Sequence, residues 1–281
     1  MTQSPLNEAD VAPLSRVYGQ LRAIHPNWWV HEGEPVGTGW IDGRALCEPN
    51  RGALQVLLTR IGQRMCSSNR KVIAAAFALR FGWSSAAAIG PYIVADCVPD
   101  VALDNVALRF SEGTLFERVA LRRLQATALH GHGYGEHPLL NDVVDRPALL
   151  DQLRRALLGN ATPVVDALSA WSRLNCPTLW GQVLSSWGSQ FAAVCTELGE
   201  PLRALELIRA FFDAPEPAFE LAPTFYPIEH AGVTRVYHRR GSCCLYYKTG
   251  AGNYCAACPL ISEDVRRERN CALIERTLEA G

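Results

Sequence analysis

The chain has 281 residues, 48% of them hydrophobic and 20% charged, which is the composition of a folded protein with one large domain or two small ones. That is too apolar for a disordered chain, and a net charge of −1 argues against a general nucleic-acid binder. No apolar run approaches the ~20 residues of a membrane span, the best one, Val72–Leu79, being cut off by Arg80. Met1–Asp10 lacks the basic-then-apolar pattern of a secretory signal, so a soluble, cytoplasmic protein is expected.

In chain order, the Gly- and Pro-rich stretch around Trp28, Trp29 and Trp40 reads as loop with a short strand. Helices follow over Gly52–Cys66 and Asn69–Leu79, the second capped by Asn69. Tyr92–Val94, Val106–Phe110 and Val119–Leu121 are short β-prone pieces between turn residues, and they suggest antiparallel hairpins. Helix returns after Pro147, with Thr162-Pro163 reading as a cap and first helical position. The clearest helix is Thr178–Leu198. Its apolar stripe carries Trp180, Trp187 and Phe191, and its opposite, polar face carries Gln182, Ser185, Ser186, Ser189 and Gln190. A helix over Pro201–Phe212, a Pro-broken connector over Ala214–Pro227, a strand at Val233–Tyr237 and a helix capped by Ser262 complete the chain. The expected fold is α+β, largely helical, with a small antiparallel sheet around residues 90–125. The expected division is a mostly helical domain over 1–230 and a cysteine-bearing segment over 231–281.

Ten cysteines need an account. Cys47, Cys66, Cys97, Cys176 and Cys195 stand singly beside apolar residues and read as small buried hydrophobes. Cys243, Cys244, Cys255 and Cys258 fall together in the spacing C-C-x10-C-x2-C, and Cys271 lies outside it. A C-x2-C turn brings two thiolates to one ion, and the flexible Thr249–Asn253 can fold the earlier pair back onto it. Four thiolates suit tetrahedral zinc or a 2Fe–2S cluster, and spacing alone leaves both open. Adjacent cysteines in an extended strand point to opposite faces, so joint ligation by Cys243 and Cys244 needs a kink, for which Gly241 is placed. His130, His132 and His137 lie in a Gly-rich loop with only Glu136 as a nearby acid, too few ligands to favour a metal over a structural role or a substrate contact. The Gly-rich stretch there has neither the spacing nor the setting of a nucleotide site.

Around the cysteines the chain reads Cys243-Cys244-Leu245-Tyr246-Tyr247, then Tyr254-Cys255-Ala256-Ala257-Cys258-Pro259-Leu260, behind an Arg-rich lead. Over roughly Arg235–Ile261 this resembles the ferric iron (siderophore) reductases of the FhuF type. The resemblance implies that Cys243, Cys244, Cys255 and Cys258 hold a 2Fe–2S cluster passing one electron to chelated Fe(III). It further implies a hydroxamate siderophore as substrate, with an external donor such as a ferredoxin or flavin reductase. A structural zinc module, or an iron–sulfur sensor or carrier, are the alternative expectations. From Val233 to Asn270 there are seven basic and three acidic residues, a net +4. Arg239 and Arg240 are placed to tune the cluster or receive an acidic partner, whereas Arg266–Arg269 reads as a solvated basic face. Tyr246, Tyr247 and Tyr254 are placed to shield the sulfurs or donate to them.

Overall fold

A computed structural model describes residues 12–25, 28, 30–131, 137–250 and 252–279. The helices are α1 (Pro13–Ile24), α2 (Gly52–Arg64), α3 (Arg70–Gly82), α4 (Ala86–Ala95), α5 (Arg146–Ser172), α6 (Cys176–Glu197), α7 (Arg203–Phe212) and α8 (Glu263–Glu279). Between α1 and α2 lie β1 (His31–Glu32) and β2 (Trp40–Asp42), and between α4 and α5 lie β3 (Cys97–Pro99), β4 (Val106–Phe110), β5 (Phe116–Leu121), β6 (Ala126–Leu129) and β7 (Leu140–Val143). A hairpin of β8 (Thr224–His230) and β9 (Val233–Arg239) precedes the cysteines. The fold is α+β and largely helical.

The strands form three small sheets, in the orders β1-β5-β4-β2, β3-β6-β7 and β8-β9. Most pairs are antiparallel, but β1 joins β5 and β6 joins β7 in parallel, so the sheets reach beyond the segment expected from sequence. Tyr92–Val94, expected as strand, belongs to α4: in an unbroken buried run, β-branched residues serve helix as well as strand. Thr162-Pro163 does not start a helix. α5 begins at the cap Asp145 and runs through Pro163, while the buried Val164, Val165 and Leu168 hold the helix in place. Part of the expected connector is strand, because Pro227 lies in β8, a strand with one partner only.

The largest departure concerns α6. Its expected polar face is not solvated: Gln182, Ser185, Ser186 and Gln190 are all buried, and only Ser189 is half-exposed. α3 and α4 pack on one side, β9 on another, and the serines satisfy themselves on carbonyls, Ser186 donating to Leu79 O at 2.7 Å. Trp180 and Trp187 are core residues, as their spacing suggests. Trp171 is only partly buried and carries the Arg70 guanidinium 5.3 Å above its ring. That contact sets the starts of α3 and α6 at one end of the helical body, because Trp171 lies at the end of α5 and α6 follows directly.

Arg70–Ala95, across α3 and α4, is long and apolar enough to cross a bilayer, but 72% of its most apolar window is buried inside the protein. The continuous apolar core runs from Leu14 to Phe219. Ile228, Cys258 and Ile274 are buried outside that cluster, with the hairpin, the cysteines and α8.

Candidate metal centre

β9 carries the chain out along α6 and delivers residues 240–260 to that helix's first turns. Gly181 makes the approach possible: a Cβ there would stand 2.3 Å from the Ser242 hydroxyl. Ser242 Oγ donates to Thr178 O at 2.9 Å, and Gln182 Nε2 donates to Ser242 Oγ at 2.6 Å and to Ser242 O at 3.2 Å. Gln182 Oε1 in turn accepts from Arg240 Nη1 at 3.4 Å. The residue before the cysteines is thus fastened to a rigid, fully buried helical amide. Gly241 lies so close to the preceding connector that a Cβ would meet Leu221 O at 2.1 Å.

The chain turns at Leu245, just past the adjacent cysteines, rather than at Gly241. Leu245 adopts φ +60°, its N–H points back to Cys243 Sγ at 3.4 Å, and a 3-10 turn over Tyr246–Lys248 follows. The C-x2-C turn closes through Cys258 N to Cys255 O at 3.0 Å, and Leu260 N donates to Cys258 Sγ at 3.4 Å. The four thiols influence one another in two pairs, Cys243 with Cys258 and Cys244 with Cys255. Among the described residues, no three His, Cys, Asp or Glu side chains converge on a single ion.

The Cys244 thiol is pushed down to about 5, first by the hydrogen bond from Cys255, and also by the Arg240 guanidinium and the Tyr246 N–H. Its partner Cys255 is pushed up correspondingly, by donating that bond and by burial. Cys243 is raised by burial, against the opposing Leu245 N–H.

The positive charges divide differently from the sequence expectation. Arg240 faces the thiols, with Nε buried and without a partner. Arg239 is exposed and reaches only Pro259 O at 3.5 Å. Arg266, expected on a solvated face, is 4% exposed; Nη2 donates to Cys258 O at 3.2 Å and Ile261 O at 2.8 Å, and Nε is buried without a partner. The reason is helical phase: Ser262 caps α8, accepting from Val265 N at 3.4 Å, and the first turn points Arg266 inward while Arg267 stays outside. Arg269 also turns in and donates to Tyr254 O. Among the described residues neither Arg240 nor Arg266 has a carboxylate partner. The Tyr247 and Tyr254 rings pair at 5.2 Å, while Tyr246 and Tyr254 keep exposed edges.

Of the single cysteines, Cys97 and Cys195 are buried, their thiols pushed up by burial to about 12 and about 11. Cys47, Cys176 and Cys271 are half-buried. Cys66 is exposed, contrary to expectation, because it ends α2 at φ +47° and turns away from the core. His130 pairs with Asp142 at 3.2 Å across the parallel β6–β7 pair, an acid that linear distance conceals, and His137 accepts from Leu139 N. His132 and Glu136 lie outside the described residues. The roles of Thr178, Gly181, Gln182, Ser242 and Arg266 at the site escaped the sequence reading, although a glycine inside the helix at Gly181 was a usable signal of close approach.

Four thiols in one short segment, with the half-buried Arg240 and the buried Arg266 beside them, make up the candidate site. The span 240–260 matches the family model of the FhuF 2Fe-2S C-terminal domain, whose cofactor is a 2Fe–2S cluster. The match covers the cysteine segment alone, and no curated protein matches the chain.

Proposed function

We propose that Cys243, Cys244, Cys255 and Cys258 hold the 2Fe–2S cluster, and that the protein is a cytoplasmic reductase of ferric siderophores, hydroxamates being favoured, fed by a ferredoxin or flavin reductase. The observation that carries this reading is the match of residues 240–260 to a 2Fe–2S domain model with all four cysteines inside the matched span. The cluster supplies a one-electron step, which suffices because oxygen chelators hold Fe(III) far more tightly than Fe(II).

The chain's own groups do the rest. Cys244 is already biased to thiolate, and Leu245 and Leu260 aim N–H groups at Cys243 and Cys258 sulfur. Arg240 and Arg266 favour the more negative, reduced state. Tyr247 and Tyr254 cover the segment while Tyr246 and Tyr254 leave an exposed edge for a donor.

Purification under anaerobic conditions should give a coloured protein whose visible absorbance is lost on Cys255→Ser or Cys258→Ser. Cys47→Ala, Cys97→Ala and Cys195→Ala should keep it. Full absorbance in either serine variant would remove the ligand assignment. A colourless zinc protein would favour the structural-module reading, and a reduced cluster that no ferric siderophore reoxidises would favour a sensor or carrier.

A further inference from the structure

Electron transfer falls steeply with distance, so a chelate receiving an electron from the cysteine segment must sit against it. The protein has several sizeable cavities. One, about 840 Å³, is lined by Asp100 and Asp104 and draws nothing from the elements that hold the cysteines. A second, about 510 Å³, lies between α2, the turn after it and the start of α3. That volume is in the range of small-molecule sites.

Three observations place this second cavity beside the cysteines. Cys66, on its wall, has its Cβ 4.0 Å from where a Cβ on Gly250 would stand, in the loop joining the two thiol pairs. The 3-10 turn Tyr246–Lys248 touches α3, whose first residue, Arg70, lines the cavity. Trp171, at the far wall, ends the helix that leads into Thr178 and Gln182, the anchors of Ser242.

The lining is also selective. It offers neutral amide and hydroxyl groups from Gln55, Thr59, Gln63 and Ser67, with the Arg70 guanidinium held on the face of Trp171. Among the described residues no carboxylate lines it, whereas Asp100 and Asp104 line the larger cavity and Asp213 and Glu200 line two others. Carboxylates would attract a bare cation and repel an oxygen-rich chelate. Neutral donors with one planar cation do the reverse, hydrogen-bonding to ligand oxygens that already carry partial negative charge.

We propose that this cavity binds the ferric chelate, as an intact complex of oxygen donors, with Arg70 and Trp171 as its contact pair and Gln55, Thr59 and Gln63 as hydrogen-bonding partners. The proposal rests on the reductase reading. The chelate takes one electron from the reduced centre, Fe(III) becomes Fe(II), and the centre returns to its oxidised state.

The test uses the cluster-loaded protein and the Ga(III) complex of a linear trihydroxamate, which has the shape and charge of the ferric complex but accepts no electron. Calorimetric titration should give a dissociation constant at least tenfold weaker for Arg70→Glu and for Thr59→Trp, both at exposed positions. Arg155→Glu, in the larger cavity, should bind as the unmodified protein does. Visible spectrum and reoxidation of the reduced cluster by ferricyanide should be unchanged in all three, which separates loss of binding from loss of fold. Undiminished binding in the Arg70 and Thr59 variants, or weakening in the Arg155 variant alone, overturns the cavity and leaves the reductase standing. If the unmodified protein binds no chelate and its reduced cluster passes no electron to one, both readings fall together.

Discussion

A guanidinium buried without a carboxylate is costly, by roughly several kcal/mol, unless another negative group answers it. Arg266 is buried and Arg240 half-buried with its Nε buried; both lack a carboxylate partner among the described residues, and both approach the cysteines. The anionic thiolate cluster is the group that fits, and because its charge grows on reduction, each cation should raise the midpoint potential. Replacing Arg266 with Met should lower the midpoint by on the order of 30–60 mV, a threefold to tenfold effect on a one-electron equilibrium. Arg266→Lys should recover most of it, and Arg267→Met, exposed one position along, should do little. Anaerobic redox titration decides, and an unchanged midpoint in Arg266→Met would leave that side chain only its carbonyl contacts. His238 makes a second residue-scale case. Its ring packs on Phe225 at 5.1 Å, Nε2 is buried without a partner, and burial, then Arg240, push it down to about 3. The folded form therefore holds it neutral while the unfolded chain, near 6.5, takes a proton. Stability from this site is complete above pH 6.5 and falls as pH drops towards 3. Urea midpoints followed from pH 7 to pH 4 should decline less steeply in His238→Phe than in the unmodified protein; parallel curves would remove His238 from the account.

At the scale of elements, α6 is the piece that places the centre. Its sequence pattern shows helix plainly, but a polar stripe looks the same whether it meets water or a buried backbone, and only the packing of α3, α4 and β9 around it decides. The four cysteines were legible because thiolate chemistry restricts their spacing. The fastening of Ser242 to Gln182 and Thr178 joins residues about sixty apart in the chain and leaves no local trace. For the same reason Arg266 read as a surface charge, and Pro163 as a helix start although it lies inside α5. Two substitutions read the fastening. Gln182→Leu strands the Ser242 carbonyl and the Arg240 donor, and should cost roughly 1–3 kcal/mol in urea unfolding. Gly181→Ala improves helix propensity by ~1 kcal/mol, yet pushes against Ser242. Both should lose visible absorbance to an iron chelator several times faster than the unmodified protein. A Gly181→Ala variant that is more stable and equally slow to lose its colour would show that the segment does not depend on this seat.

Over the whole molecule the apolar core and the cysteine centre are built by different means. Leu14 to Phe219 form one continuous apolar cluster, enough to hold the helices and the two larger sheets together. The hairpin, the cysteine segment and α8 contribute few fully buried apolar side chains, Ile228 and Ile274 among them; Phe225, Val236 and Leu245 pack on the edge of the core, and polar contacts add to them: Ser242 on α6, Arg266 on the Cys258 turn, and Asn270 Nδ2 donating to Tyr226 Oη at 3.1 Å. A region so poor in apolar burial takes much of its free energy from whatever its thiolates bind, because metal-binding energy acts as folding energy when the site is not otherwise held. Removing the metal should therefore loosen residues 240–260 and α8 while the helical body stays folded. Far-ultraviolet circular dichroism should keep nearly all of its helical signal after chelation. Limited proteolysis should then cut within Thr249–Tyr254, where the cluster-loaded protein resists, and hydrogen exchange should rise in β9 and α8 but not in α3 or α5. Cooperative collapse of α3, α5 and the cysteine segment at one temperature would instead mean that the centre holds the entire fold. In that case the division of the chain near residue 230, which falls in the turn between β8 and β9, would have no energetic basis.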